Sequence, residues 1–225
     1  MTFRVIPVID LRGGLVVRAR AGDRDAYAPI RTPLASGSAP ADIARGLLAA
    51  CPAEVLYVAD LDAIVDHSAP DLTSLRAIQA ACPTAWLWLD AGFSSMPAVG
   101  AFLAEGLGRP VLGSESQVDS GLVRALGDRA VLSLDSRRGE MLGPRELHDD
   151  PSCWPRDIIV MSLASVGAGS GPDVAALTRV ISAAGGSAVY AAGGVRGPED
   201  IETLQSLGAA GALVASAIHD GRLRG

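Results

Sequence analysis

Lysine is absent from this 225-residue chain, so all 19 of its basic side chains are arginines. That absence excludes Schiff-base chemistry, which needs a lysine amine to attack a carbonyl. Aromatic residues are scarce, 4% against 49% hydrophobic, so the core must be built from Val, Leu, Ile and Ala. Such residues suit strands buried on both faces, as in parallel sheets. Cysteine is limited to Cys51, Cys82 and Cys153, which are scattered and lack metal-ligand spacing. Three free thiols in a reducing, cytoplasmic setting are the expectation. Positive charge is also short: the net charge is −6, and no basic run offsets it. A nucleic-acid surface is therefore not expected. Neither a membrane span nor a leader is expected, because no apolar run approaches the needed length and the chain enters a strand at Phe3. His67, His148 and His219 lack ligand spacing and are expected as solvated surface residues, with no metal and no cofactor.

What is present alternates. Short apolar strands are predicted at Phe3 to Asp10, Glu54 to Asp60, Ala85 to Asp90, Arg109 to Gly113, Arg129 to Asp135, Asp157 to Ser162, and then at Ala188 and Ala212. Helical segments separate them, over roughly 41–50, 70–81, 97–106 and 119–126, with Asp173 capping another. Strands alternating with helices specify parallel βαβ units. The length suits one (β/α)₈ barrel domain over residues 1–225. Residues 21–40 form an unusually long connection, and long loops are disproportionately functional.

The organising stretch is Ala188-Val189-Tyr190-Ala191-Ala192-Gly193-Gly194-Val195-Arg196-Gly197-Pro198-Glu199. It reads as a strand, a paired-glycine turn and a helix start marked by an early proline and first-turn carboxylates. Backbone N–H groups at such a turn suit an anion. The next strand exits at Ala215-Ser216, and two adjacent strands of this kind form a phosphate cradle in (β/α)₈ barrels. A tight turn with no ligand is the plain alternative.

The two halves repeat. Asp60 and Ser162 lie 102 positions apart, as do Gly92 and Gly194, and Ser114 and Ser216. Asp10 and Asp135 lie 125 apart, the difference falling in the long first loop. A constant offset interrupted once indicates a duplicated half-barrel. The duplication predicts a second anion cradle at Gly92, Gly113 and Ser114, and two aspartates facing each other. Asp60 and Asp90, at other strand ends, are expected only to cap their turns.

Four segments, V-I-P-V-I-D-L-R-G-G, L-Y-V-A-D-L-D-A, V-L-S-L-D-S-R-R-G and A-A-G-G-V-R-G-P-E-D-I, resemble the histidine-biosynthesis barrel family. Within it the ribotide isomerase is closer than the cyclase, which carries a lysine near its first strand. The resemblance implies an Amadori rearrangement, an aminoaldose phosphate becoming an aminoketose. It implies Asp10 as general base and Asp135 as general acid, with Ser162 or Met161 where the isomerase has a threonine. Arg18, Arg24 and Gly171 are the expected substrate contacts, Arg24 with Tyr27 and Arg31 from the long first loop, and Gly193, Gly194, Ala215 and Ser216 the expected phosphate contacts. Three departures stand out. The isomerase's triple-glycine turn reads Asp90-Ala91-Gly92-Phe93 here, Glu115 follows Ser114, and the loop after Ser162 has no acidic residue until Asp173. These changes resemble an isomerase-related branch from methanogens and methylotrophs. Three alternatives are thus open. One is an isomerase of a phosphoribosyl-aminoimidazole-carboxamide. Another is a barrel acting on a different, singly phosphorylated metabolite, for example in one-carbon cofactor synthesis. The third is a non-catalytic binding subunit. A small phosphorylated molecule is the expected partner; no partner protein is legible.

Overall fold

The computed structural model describes residues 2–19 and 27–224. Eight parallel strands close on themselves: β1 (Arg4–Arg12), β4 (Val55–Asp60), β5 (Trp86–Asp90), β6 (Gly108–Gly113), β7 (Val131–Arg137), β9 (Asp157–Ser162), β10 (Ala188–Ala192) and β11 (Gly211–Val214). Three short strands, β2 (Leu15–Arg18), β3 (Ala28–Pro29) and β8 (Glu140–Met141), lie outside the ring as antiparallel additions. The seam is the β1–β11 pairing, with Arg4 opposite Gly211 and Pro7 opposite Val214. The chain is therefore a (β/α)₈ barrel. Three strands separate β1 from β7 in either direction around it, so these two stand opposite each other.

Strand periodicity sorts the apolar residues into two layers. In β4, Leu56 and Val58 face the helices while Tyr57 and Ala59 fill the interior. The same alternation puts Trp88, Val111, Val131, Ile159, Tyr190 and Leu213 inside. Helices α1 (Pro40–Ala50), α3 (Leu72–Ala81), α4 (Met96–Ala104), α5 (Gly121–Leu126), α7 (Val174–Ala183) and α8 (Pro198–Ser206) cover the outside, and a short α6 (Arg145–Asp149) follows β8. Helix α1 begins with a proline and buries Ile43, Ala44 and Leu47, the one-sided stripe that docks a helix on a sheet. Asp173 caps α7, accepting from the Ala176 amide at 3.0 Å.

Some elements differ from the sequence expectation. Leu61–Asp66 forms its own helix, α2, before α3. Asp60 makes both possible, accepting from Ala63 N at 3.1 Å and from Asp71 N at 2.7 Å. Its expected capping role is therefore what the structure shows. His219 is a correction: it lies in α9 (Ser216–His219), only 3% exposed, with Nδ1 3.2 Å from Thr32 Oγ1. The chain leaves the eighth strand through a single helical turn, which folds the ring under the rim instead of into water. His148 is half-buried, its Nε2 2.9 Å from the Leu142 carbonyl oxygen. All three cysteines are free and buried. Among the described residues no helix is long and apolar enough to cross a membrane.

The duplication is visible in the backbone. After β1, a two-residue turn at Gly13-Gly14 leads to the antiparallel β2; after β7, one at Arg138-Gly139 leads to β8. Arg12 pairs with Leu15 and Arg137 with Glu140, the same register in each half. Both central residues of each turn have positive φ, 57° and 73° in the first and 54° and 83° in the second. Hairpin loops of the I′ kind require that.

The N-terminal end of the barrel is sealed by charge. Arg109 Nη1 donates to Asp157 Oδ2 at 2.6 Å, Tyr190 Oη donates to Asp157 Oδ1 at 3.1 Å, and Arg4 bonds the Tyr190 hydroxyl. Above them Trp88 packs edge-on against Tyr190, with ring centroids 5.1 Å apart. In this fold that end serves stability, and chemistry sits at the strands' C-terminal ends.

Candidate active site

At the C-terminal mouth is a cavity of about 360 Å³. The topmost inward positions of the strands ring it: Asp10, Ala59, Asp90, Asp135, Met161, Ala192 and Ala215. Asp10 and Asp135, from the opposite strands β1 and β7, thus share one chamber. Glu115, Tyr57, Gly193, Gly194 and Ser216 also line it, with Arg18, Arg137, Asp220 and Arg222 toward its edge.

Of the acids that line the cavity, Asp135 is the most deeply held, 4% exposed. Ser133, two residues earlier on the same strand face, donates to its Oδ1 at 2.6 Å. The Glu115 amide donates to Oδ2 at 3.2 Å, and Ser114 Oγ accepts from the Asp135 amide at 2.9 Å. Burial raises its pKa to about 7; the Ser133 hydroxyl opposes this, while the charges of Asp90 and Glu115 add to it. A carboxyl that titrates near neutrality can both give and take a proton at working pH.

Tyr57 lies beneath the acids, buried, its hydroxyl 3.3 Å from Asp90 Oδ2. Burial drives its pKa far up, and the charges of Asp90, Asp135 and Asp10 push the same way. The phenol is therefore a permanent neutral donor facing three carboxylates. Asp90 does cap its turn, accepting from Gly92 N at 3.1 Å, but it also reaches the cavity. Sequence reasoning missed Tyr57 and the second role of Asp90. The signal was available in parity: both share the inward register of their strands.

At the other side, Gly193 and Gly194 have φ of 96° and 86°. A Cβ at Gly193 would lie 2.5 Å from the Ser162 carbonyl oxygen, and one at Gly194 2.0 Å from that of Gly171. Close packing of the β9–α7 loop thus requires both glycines by itself. Gly171 sits behind the wall, its amide donating to Gly194 O at 3.1 Å. Ser162 is not among the residues that line the cavity and pairs with Ser165, Oγ to Oγ 2.9 Å, while Met161 takes the wall position in register with Asp135. Ser114 is fully buried against Asp135, and Gly92 and Gly113 do not line the cavity. Arg18 lines it and forms an ion pair with Asp220, which also pairs with Arg222 at 3.0 Å. Arg24 lies outside the described residues. Among the described residues no group of three or more His, Cys, Asp or Glu is placed to hold a metal.

A closed ring of eight parallel strands with helices around it, and a cavity at the strands' C-terminal ends, defines the class, a (β/α)₈ barrel. More narrowly, the model of the histidine biosynthesis protein family matches residues 4–224, and the chain belongs to that family. It is 30% identical over 238 residues to 1-(5-phosphoribosyl)-5-((5-phosphoribosylamino)methylideneamino)imidazole-4-carboxamide isomerase of Hyphomonas neptunium, covering 98% of this chain and 95% of the relative. The Geobacter sulfurreducens enzyme of the same name is 30% identical over 242 residues, covering 97% and 93%. An uncharacterized protein of Methanocaldococcus jannaschii is 28% identical over 225 residues, covering 98% and 95%.

Proposed function

We propose that the protein is an aldose–ketose isomerase that carries out an Amadori rearrangement on an aminated sugar phosphate. The observation that carries this reading is the pair Asp10 and Asp135, delivered from opposite strands to one cavity. In the proposed reaction the protonated carboxyl of Asp135 gives its proton to the ribose ring oxygen. The bond from C1 to that oxygen breaks, and the nitrogen lone pair forms a C1 iminium. Asp10 then removes the C2 proton, and the electron pair of that bond moves into C1–C2 as the iminium becomes an enamine-enol. Return of a proton to C1 and loss of the enol proton leave the aminoketose, so the net change is an isomerisation. The raised pKa of Asp135 suits the acid's part, and the half-buried Asp10 suits the base's. Gly193, Gly194, Ala215 and Ser216 are the proposed phosphate wall.

The relatives' substrate, a phosphoribosyl-aminoimidazole-carboxamide, is the first compound to test. Turnover of this compound or of a simpler aminoaldose phosphate by the purified protein is expected, with loss in Asp10→Asn and an unchanged circular dichroism spectrum; complementation of an isomerase-deficient histidine auxotroph would establish the first of these. Absence of turnover by the purified wild-type protein, on this compound and on simpler aminoaldose phosphates, would end the reading.

A further inference from the structure

The duplication sets Asp10 and Asp135 in equivalent places but in different surroundings. Asp135 maps onto Asp10 at an offset of 125, and Ser114 onto Ser216 at 102. The strand pairing repeats with them: Leu132 stands opposite Leu112 in the β6–β7 ladder as Pro7 stands opposite Val214 in the β11–β1 ladder. Ser133, which stands beside Gly113, has Val8 as its counterpart, a side chain with no donor to offer. Ser216 borders the cavity, whereas Ser114 is fully buried and does not line it.

The Ser114 hydroxyl turns to a single residue. It accepts from the Asp135 amide at 2.9 Å and donates, in a longer and weaker contact of 3.4 Å, to Asp135 Oδ2. The neighbouring Glu115 amide donates to the same oxygen at 3.2 Å, and Ser133 Oγ donates to Oδ1 at 2.6 Å. One side chain thus grips both the backbone and the carboxyl of Asp135, and each carboxyl oxygen has a hydroxyl donor. Gly113 makes room for this. Its φ is −67°, which any residue adopts, yet a Cβ there would lie 3.0 Å from Asp135 Oδ2. The glycine serves the carboxyl rather than the backbone.

From this arrangement we infer that Ser114 is a positioning residue for proton transfer by Asp135, in the half of the barrel where the repeat alone predicts a phosphate contact. The inference rests on the reading of Asp135 as the general acid. Proton transfer depends on the direction of the carboxyl oxygen as well as on its distance from the reacting atom. A buried hydroxyl on the adjacent strand holds that direction, and it need not reorganise as charge appears on the carboxyl. The same hydroxyl favours the ionised form, against burial, so it limits how tightly the acid keeps its proton. Ser133 supports the other oxygen from below, on the same strand face as Asp135.

The test is the pH midpoint at which the Asp135 carboxyl titrates, followed by carbon NMR of carboxyl-labelled protein with Asp135→Asn to assign the signal, together with kcat and KM on an aminoaldose phosphate. In Ser114→Ala the midpoint is expected to rise by about half a pH unit, because the ionised form loses a donor. There kcat is expected to fall about tenfold with KM unchanged, the mark of a misdirected proton rather than of weaker binding. A midpoint that does not move in the folded variant overturns the inference. An unchanged kcat overturns it too, and a KM raised alone would make Ser114 a substrate contact. If the alanine variant does not fold, Ser114→Cys, whose thiol fills the space as a weak donor, is read in its place with the same outcomes. The isomerase reading fails separately, because the titration needs no substrate. If the midpoint moves but wild type turns over no aminoaldose phosphate, isomerisation is wrong and the hold of Ser114 on the Asp135 carboxyl stands.

Discussion

Replacing Asp135 with asparagine is expected to stabilise the protein at alkaline pH while destroying its chemistry. The Asp135 carboxyl moves from 3.8 to about 7 on folding, chiefly because it is buried. Between those two values the folded chain holds a proton that the unfolded chain has released. Stability carried by that proton is whole below pH 3.8 and is gone once the pH has risen through about 7. At about 1.4 kcal/mol per pH unit, the difference amounts to roughly 4 kcal/mol. Asparagine has the same shape and no proton to lose, so the variant and wild type should match near pH 4 and diverge steadily above it. By pH 8 the variant should lead by an amount on the order of 4 kcal/mol. His219 works in the other direction: burial lowers it to about 4, so its share is present above 6.5 and lost as the pH falls toward 4. That share is common to both proteins and cancels in the comparison. Urea unfolding followed by circular dichroism at pH 4, 5, 6, 7 and 8 measures the difference directly. A gap between the two proteins that stays constant with pH would refute the reasoning, because Asp135 would then be ionised throughout.

Other expectations follow from the same contacts. Ser133→Ala removes the hydrogen bond that favours the ionised Asp135, so the limb of the rate–pH profile governed by that group should move to higher pH, read from kcat/KM between pH 5 and 9. Gly194→Ala puts a Cβ against the Gly171 carbonyl at a positive φ; it should cost about 1–3 kcal/mol of stability and weaken phosphate binding, measured by unfolding and by calorimetry. Arg109→Ala breaks the buried pair with Asp157 at the sealed end, far from the cavity; a loss of about 3 kcal/mol is expected with kcat unchanged.

The barrel was legible because its signals are local. Each inner strand is a short run of Val, Ile, Leu and Ala stopped by an aspartate, serine or glycine, and the offsets between Gly92 and Gly194 and between Asp10 and Asp135 survive as a backbone repeat down to matching φ values at Gly13 and Arg138. The cavity's lining was legible where it depends on strand ends, hence Asp10, Asp135, Gly193 and Ser216. It was not where two strands must be compared. Nothing in the sequence around Ser114 says that its hydroxyl would serve the Asp135 backbone, since that needs the β6–β7 register. Asp90 carries a turn-capping signature that is true and incomplete. Ser162 is a natural candidate by its hydroxyl, but strand parity gives the wall to Met161. His219 resembles a surface residue because a polar ring in a Gly-rich tail usually is one; the contact that meets its ring comes from Thr32, 187 positions away.

The plug of Arg4, Arg109, Asp157 and Tyr190 has a kinetic consequence. With that end of the barrel shut among the described residues, the proposed substrate would enter and its product leave through the same mouth. Product on its way out blocks the same doorway that fresh substrate must use, so inhibition by product should be competitive and no second exit should relieve it.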